Sequence, residues 1–346
     1  LSTVVVAFGI VGCAMEGSEP LGESAEGLAG KNLRYTQVNI TAGPPTEDGW
    51  FPRGLSEDGE VIGQAFDCNA DFSVCKQDLI KRRNNGQFTV LAANFFVNDV
   101  NSHGDAGGCT YDPVTTLGQA GIVRENGQLE LIPRLPGEMS SCVSKVSDAG
   151  VAFVTSTDPN FVESVFIFDH GRNRPFTVSN SDVGGINDHA ELAGTLFNDH
   201  APIQAYRFDS RAQTTTLLRP ASSDQAASGF AINRQGEVLG TSFTFDGSTQ
   251  RIGKWNRNAQ FETSLVATPA FIANSVTWNE QGLIVASNTS DGNTYLVPSP
   301  GEKLNLADLV KNPPAASPLD VIAVNGHADI VAASLADGSA YLYRRE

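Results

Sequence analysis

Ile232-Asn-Arg-Gln-Gly-Glu-Val-Leu-Gly240 reads as the end of one short strand, a tight turn and the start of a second strand. The same pattern is an apolar anchor, Asn or Ser, two turn residues, Gly or Ala, then a mostly apolar run. It recurs at 55–63, 100–108, 146–154, 186–194, 278–286 and 324–332. Successive anchors lie 45, 46, 40, 46, 46 and 46 positions apart. A period of about 40–50 residues built from short strands is the mark of propeller blades.

Residues 228–266 show how one unit folds. Ser228-Gly-Phe-Ala-Ile-Asn233 predicts a first strand, and Glu237-Val-Leu-Gly-Thr-Ser-Phe243 a second. Asp246-Gly247 is a hairpin signal, because both residue types tolerate positive φ. Gln250-Arg-Ile-Gly-Lys-Trp255 and Phe261-Glu-Thr-Ser-Leu265 supply strands three and four. The seventh copy ends after its third strand, while Leu33-Arg-Tyr-Thr-Gln-Val-Asn-Ile40 is an orphan strand ahead of the first. An open array would leave unpaired edges. The expectation is therefore an all-β, seven-bladed β-propeller over 33–346, with four antiparallel strands per blade, closed by 33–40 pairing with 339–343.

Composition limits the function. The 346 residues hold 39 Asp and Glu against 23 Lys and Arg, a net charge of -16. A nucleic-acid binder needs clustered cations to neutralise phosphates, so nucleic acid is not expected as a partner. The densest basic run, Lys81-Arg82-Arg83, reads as a solvated hairpin end.

Residues 1–12 are mostly apolar and small, too few to span a bilayer but suited to the core of an export signal. Ile10-Val11-Gly12-Cys13 resembles a bacterial lipobox, which implies cleavage before Cys13 and lipidation of its thiol. The alternative is an ordinary secretory signal cleaved near Ala14. Residues 13–32 are rich in Gly, Ser and Glu and read as a flexible tether. No Asp follows Cys13, which by the same resemblance points to the outer membrane. The lipid is the expected membrane contact.

Cys68, Cys75, Cys109 and Cys142 form an even set, which in an exported chain implies disulfides. Cys68 and Cys75 flank a six-residue loop between predicted strands, a natural hairpin staple, leaving Cys109 with Cys142.

The run Ile-Asn-x-x-Gly-Glu-Val-x-Gly at 232–240, its counterpart at 186–194, and the third strand beginning Gln204-Ala-Tyr206 resemble the HAF-repeat family of bacterial extracellular proteins. The likeness covers 50–346. It implies an extracellular location and no defined activity.

Candidate chemistry is sparse. There is no Gly-x-Ser-x-Gly, His-Glu-x-x-His, phosphate loop or Cys-x-x-Cys. The repeated Asn101, Asn187, Asn233, Asn279 and Asn325 read as turn formers, with Ser56 and Ser147 in the same role. His103, His189 and His327 share a turn position but sit in separated copies. Asp158, Asp199, Asp246, Asp291 and Asp337 recur in the second turns and leave weak calcium binding as the one cofactor to consider; otherwise no cofactor or metal is expected. The residue before each anchor is small in five copies, as a crowded axis requires, while Asp99 and Lys145 in neighbouring copies suggest an inter-blade ion pair.

Loops feeding the first strands are the usual place for grafted function. There Trp50, Phe51, Arg53, Asp182 and Asp320 are the candidate ligand-binding residues, with Glu47 a further acid. Trp50 and Phe51 could stack on a sugar or seat a peptide, or plug the blades. The reading is a monomeric, non-enzymatic scaffold at the cell envelope that binds a protein or a glycan. The alternative is an extracellular polysaccharide hydrolase or lyase using carboxylates at the tunnel mouth.

Overall fold

The computed structural model describes residues 33–346, except 46, 70–74, 113–116, 198–201, 247, 268–272, 289–290 and 312–318. The expected export signal, Cys13 and the tether lie outside the described residues. Seven four-stranded antiparallel sheets form the blades. Their first strands are Gly49–Leu55, Phe95–Val100, Ser140–Val146, Ser181–Ile186, Ala226–Ile232, Ala273–Trp278 and Leu319–Val324, in blades 1 to 7.

The ring closes as the strand count requires. Tyr35–Asn39 pairs antiparallel with Ala340–Arg345 as the outermost strand of blade 7, Tyr35 opposite Arg345 and Val38 opposite Leu342. Tyr35 is fully buried and shares a core with Leu283, Leu306 and Tyr343. The short step from 146 to 186 comes partly from a two-residue turn between Glu163–Asp169 and Arg172–Pro175, where His170 and Gly171 both take positive φ, and partly from shorter connections on either side of those strands.

The core is a ring of slabs between blades. Neighbouring residues on a second strand point to opposite faces, and both faces are covered. Val238 packs with Trp255 and Ala193 on one side of its sheet, while Leu239 packs with Ile284 and Tyr295 on the other; both are fully buried. This explains why second strands read as unbroken apolar runs. Full burial of each such side chain is worth about 1.5–3 kcal/mol.

Both expected disulfides are present, Cys68–Cys75 and Cys109–Cys142. The first joins directly opposed residues of the second and third strands of blade 1. The second staples Ala106–Tyr111 of blade 2 to the first strand of blade 3. The Lys81-Arg82-Arg83 run departs from the expected solvated hairpin end. Arg83 is exposed at a turn, but Lys81 is buried and bridges Glu60 at 2.6 Å and Glu125 at 3.2 Å. Strand alternation sends Lys81 inward between blades.

Candidate functional site

The seven first strands surround an axial cavity of about 360 Å³. Each carries a bulge. In six strands it falls two residues before the anchor, at Arg53, Asn98, Ser144, Gly184, Phe230 and Ile322. A bulge adds an unpaired residue and re-aims its side chain. Arg53, Phe230 and Ile322 thereby join the cavity wall, with the small Gly185, Ala231, Thr277 and Ala323 beside them. The expected ion pair is there too: Lys145 Nζ lies 3.7 Å from Asp99 Oδ1, and Asp99 Oδ2 accepts the Val146 N–H at 2.9 Å.

At the end of the axis formed by the first turns lies a ring that sequence reasoning did not single out. It is the third column of the repeat: Glu57, Ser102, Asp148, Asp188, Arg234, Glu280 and Gly326. Asp148 accepts the Ser102 N–H at 2.9 Å, Asp188 the Ala149 N–H at 2.7 Å, and Glu57 the Gly326 N–H at 2.8 Å. Each bond links one blade to the next. Arg234 reaches Asp148 at 2.9 Å and Asp188 at 3.0 Å. Burial pushes the Glu57 carboxyl up despite the Gly326 N–H. Burial and the nearby Asp148 push Glu280 up, against the pull of Arg234. The signal was present in the repeat, since four of seven residues in this column are acidic, but a column has no meaning until the ring brings it to one axis.

The Asn column does form turns, and it does more. Asn325 Oδ1 accepts the His327 and Asp329 N–H groups at 3.1 and 2.9 Å, while its Nδ2 donates to Ser56 O of blade 1 at 3.0 Å. Asn101, Asn187 and Asn279 make the same clasp to the next blade at 2.8–3.0 Å. Ser56 and Ser147 hold only their own turns, through Glu60 and Val151 N–H, because a hydroxyl has no second arm of that length.

The candidates of the loop face are scattered in role. Trp50 is buried, donates Nε1–H to Ile40 O at 2.9 Å and packs edge-on to Phe88; it plugs the seam between blades 7 and 1. Phe51 is 54% exposed. Arg53 is exposed and lines the axial cavity. Asp182 is exposed and Asp320 half-buried. With Phe51 they occupy one column, four residues before the anchor, on three different blades. Glu47 is half-buried and burial raises its pKa. Second-turn aspartates cap their own loops: Asp158 accepts the Asn160 and Val162 N–H groups, and Asp246, Asp291 and Asp337 each accept the N–H two residues on. Those bonds hold Asp246 down to about 2, the Ser248 N–H first among them. Asp199 lies outside the described residues. His103, His189 and His327 are exposed and stand on separate blades. Among the described residues, no group of three or more His, Cys, Asp and Glu is placed to hold a metal.

Second turns lie on the same face as the loops feeding the first strands. Phe161, Phe197 and Phe245 project there from the successive blades 3, 4 and 5, with exposures of 80%, 43% and 62%. Phe161 has φ +62°, a left-handed conformation that is an outlier for a bulky residue. Its loop is held by the Asp158 bonds above and by the Phe161 N–H to Asp158 O at 3.0 Å.

The fold and its axial cavity define a seven-bladed β-propeller closed through its N-terminal strand. No family model matches the chain, and no curated protein matches it. Solved structures are similar in fold. Oligogalacturonate lyase from Vibrio parahaemolyticus has 11% identity and a TM-score of 0.55, over 90% of this chain and 96% of that one. Virginiamycin B lyase from Staphylococcus aureus has 10% identity and a TM-score of 0.52, over 90% and 99%. The propeller domain of the Trilobed protease from Pyrococcus furiosus, described as having an open velcro topology, has 9% identity and a TM-score of 0.54, over 90% and 95%.

Proposed function

We propose that this protein is an exported, lipid-anchored and non-enzymatic monomeric propeller that binds a protein or a glycan at the bacterial cell envelope, through the face of the loops feeding the first strands. The observation that carries this reading is the arc of exposed phenylalanines on blades 3 to 5. A bulky side chain in the left-handed region costs about 1–2 kcal/mol, and at 80% exposure Phe161 recovers little of it by burial. Backbone strain without a packing return is a reason to look for a ligand. Exposed aromatics stack on sugars and seat peptides; Phe51, Arg53, Asp182 and Asp320 would add to the same face. The two disulfides fit an oxidising, extracytoplasmic compartment, as do the lipobox-like Cys13 and the HAF-repeat likeness.

The test is retention of cell-envelope glycans and proteins on immobilised protein comprising residues 14–346, compared with the F161N/F245N variant. Binding that drops at least tenfold in the variant supports the reading; equal retention sinks it.

Polysaccharide cleavage is the second reading. It is favoured by Glu57 and Glu280, whose carboxyls are raised by burial beside the axial cavity, as a general acid requires. Against it, Asp99 and Asp148 there are tied to Lys145 and Arg234. Release of reducing or unsaturated ends from a uronate polymer, lost in E57Q or E280Q, would replace binding by catalysis.

A further inference from the structure

The seam between blades 7 and 1 differs from the others because its outermost strand arrives from the chain's N-terminal side. After Asn39 the chain crosses to blade 1 through Ile40 and 42–45. A cavity of about 730 Å³ opens beside this crossing, walled by Ile40, Pro44, Pro45, Ile80 and Phe88. That volume is in the range of small-molecule sites. The two prolines contribute no N–H to the wall.

Arg82, the last residue of the third strand Cys75–Arg82, lines the same cavity. It is half-buried, and among the described residues its guanidinium makes no hydrogen bond or ion pair. Its neighbours do have partners: Lys81 holds two carboxylates, and one Arg344 nitrogen donates to Asn84 Oδ1, though Arg344 Nε is buried without a partner. Burial, and then the like charge of Arg344, work against its protonated form. In a chain with 39 acidic residues against 23 basic ones, a partly desolvated guanidinium without a counter-charge is anomalous. Among the described residues the wall holds one carboxylate, Glu47, and it makes no ion pair with Arg82.

We propose that this groove binds a small apolar carboxylate, its head on the Arg82 guanidinium and its tail along Pro44, Phe88 and Val90, while Ile40 and Ile80 are buried beneath. A planar guanidinium offers two parallel N–H donors to a carboxylate, and the apolar wall takes the chain. A cationic amphiphile would meet Arg82 with like charge.

The experiment is isothermal titration of the purified protein with decanoate, decan-1-ol and decyltrimethylammonium, repeated on R82Q and R82K, with thermal melts to verify that each variant folds. The expected result is decanoate binding that exceeds decanol binding, weakened at least tenfold by R82Q and less by R82K, with decanol unchanged. Absence of decanoate binding to the parent, equal affinity in R82Q, or decanol binding as tight as decanoate would overturn the proposal.

Discussion

At the residue scale, one amide side chain does two jobs that a serine splits. Asn101, Asn187, Asn279 and Asn325 each close their own turn with Oδ1 and fasten the next blade with Nδ2, whereas Asn233 gives its Nδ2 to Glu237 of its own turn. Asn325→Ser keeps an acceptor for the turn and removes the clasp to Ser56 O. The expected loss is about 1 kcal/mol, the net worth of one hydrogen bond. Asn325→Ala also strips the acceptor from the His327 and Asp329 N–H groups and should cost about 2–3 kcal/mol. Urea unfolding of the two variants measures the difference; equal losses would show that the clasp contributes nothing. Phe161 runs the other way. Asn tolerates the left-handed region better than Phe, so Phe161→Asn should raise stability by about 0.5–1 kcal/mol while weakening ligand retention. A destabilised Phe161→Asn would mean that the ring packs on the protein after all.

At the element scale, four blades bring the first strand close against the last residue of the repeat. Four copies end in Gly: Gly63, Gly108, Gly194 and Gly240. A Cβ at Gly194 would run into the Asp182 carbonyl oxygen on the adjoining first strand, and one at Gly240 would meet Ser228 O in the same way. In these copies the first strand lies against bare backbone, whereas Val154, Ala286 and Ala332 hold the same place opposite the other bulged strands. Gly194→Ala should cost about 1–3 kcal/mol through forced backbone displacement, read as a lower urea midpoint at unchanged slope. The closing strand is the second test. Removing residues 33–41 would expose the edge of Ala340–Arg345, empty the Tyr35 site and take away the acceptor of the Trp50 indole. Such an edge invites association, so size-exclusion chromatography should show higher oligomers. A monomeric, cooperatively melting truncation would contradict the closure argument.

At the scale of the whole molecule, the acidic ring couples stability to pH. Glu57 and Glu280 have carboxyls raised above their ordinary values, chiefly by burial. Between the unfolded and folded values the folded state binds more protons, so stability falls as pH rises. Their contribution is complete below the unfolded carboxylate value of about 4.3 and is lost as pH climbs through the folded one. Asp169 acts oppositely. Burial opposes its charge, but Arg174 and Arg211 outweigh burial and hold its pKa down, so its contribution fades as pH falls through the depressed value. An E57Q/E280Q protein should lose the first dependence: its melting temperature should gain on the parent's as pH goes from 4 to 8. Parallel curves would mean that the ring is electrostatically silent.

The blade count, the strand-swapped closure and the pairing of Cys68 with Cys75 were all legible before any coordinates. Each rests on covalent order and local turn chemistry: a fixed period, a strand missing at one end and spare at the other, two cysteines across one hairpin. The site was far less legible. Trp50 and Phe51 are adjacent letters, yet strand alternation buries one and exposes the other. Arg82 sits in a run of three cations, and only the through-space map reveals that Lys81 has carboxylates and Arg82 has none. The third column of the repeat is an unremarkable turn position until seven copies face one axis. Sequence alone determined how the chain is divided and how its ends meet, because those follow from bonding along the backbone. Tertiary structure alone decided which side chains share a cavity, a ring or an exposed face, because burial and electrostatic pairing depend on distance in space and not on order in the chain.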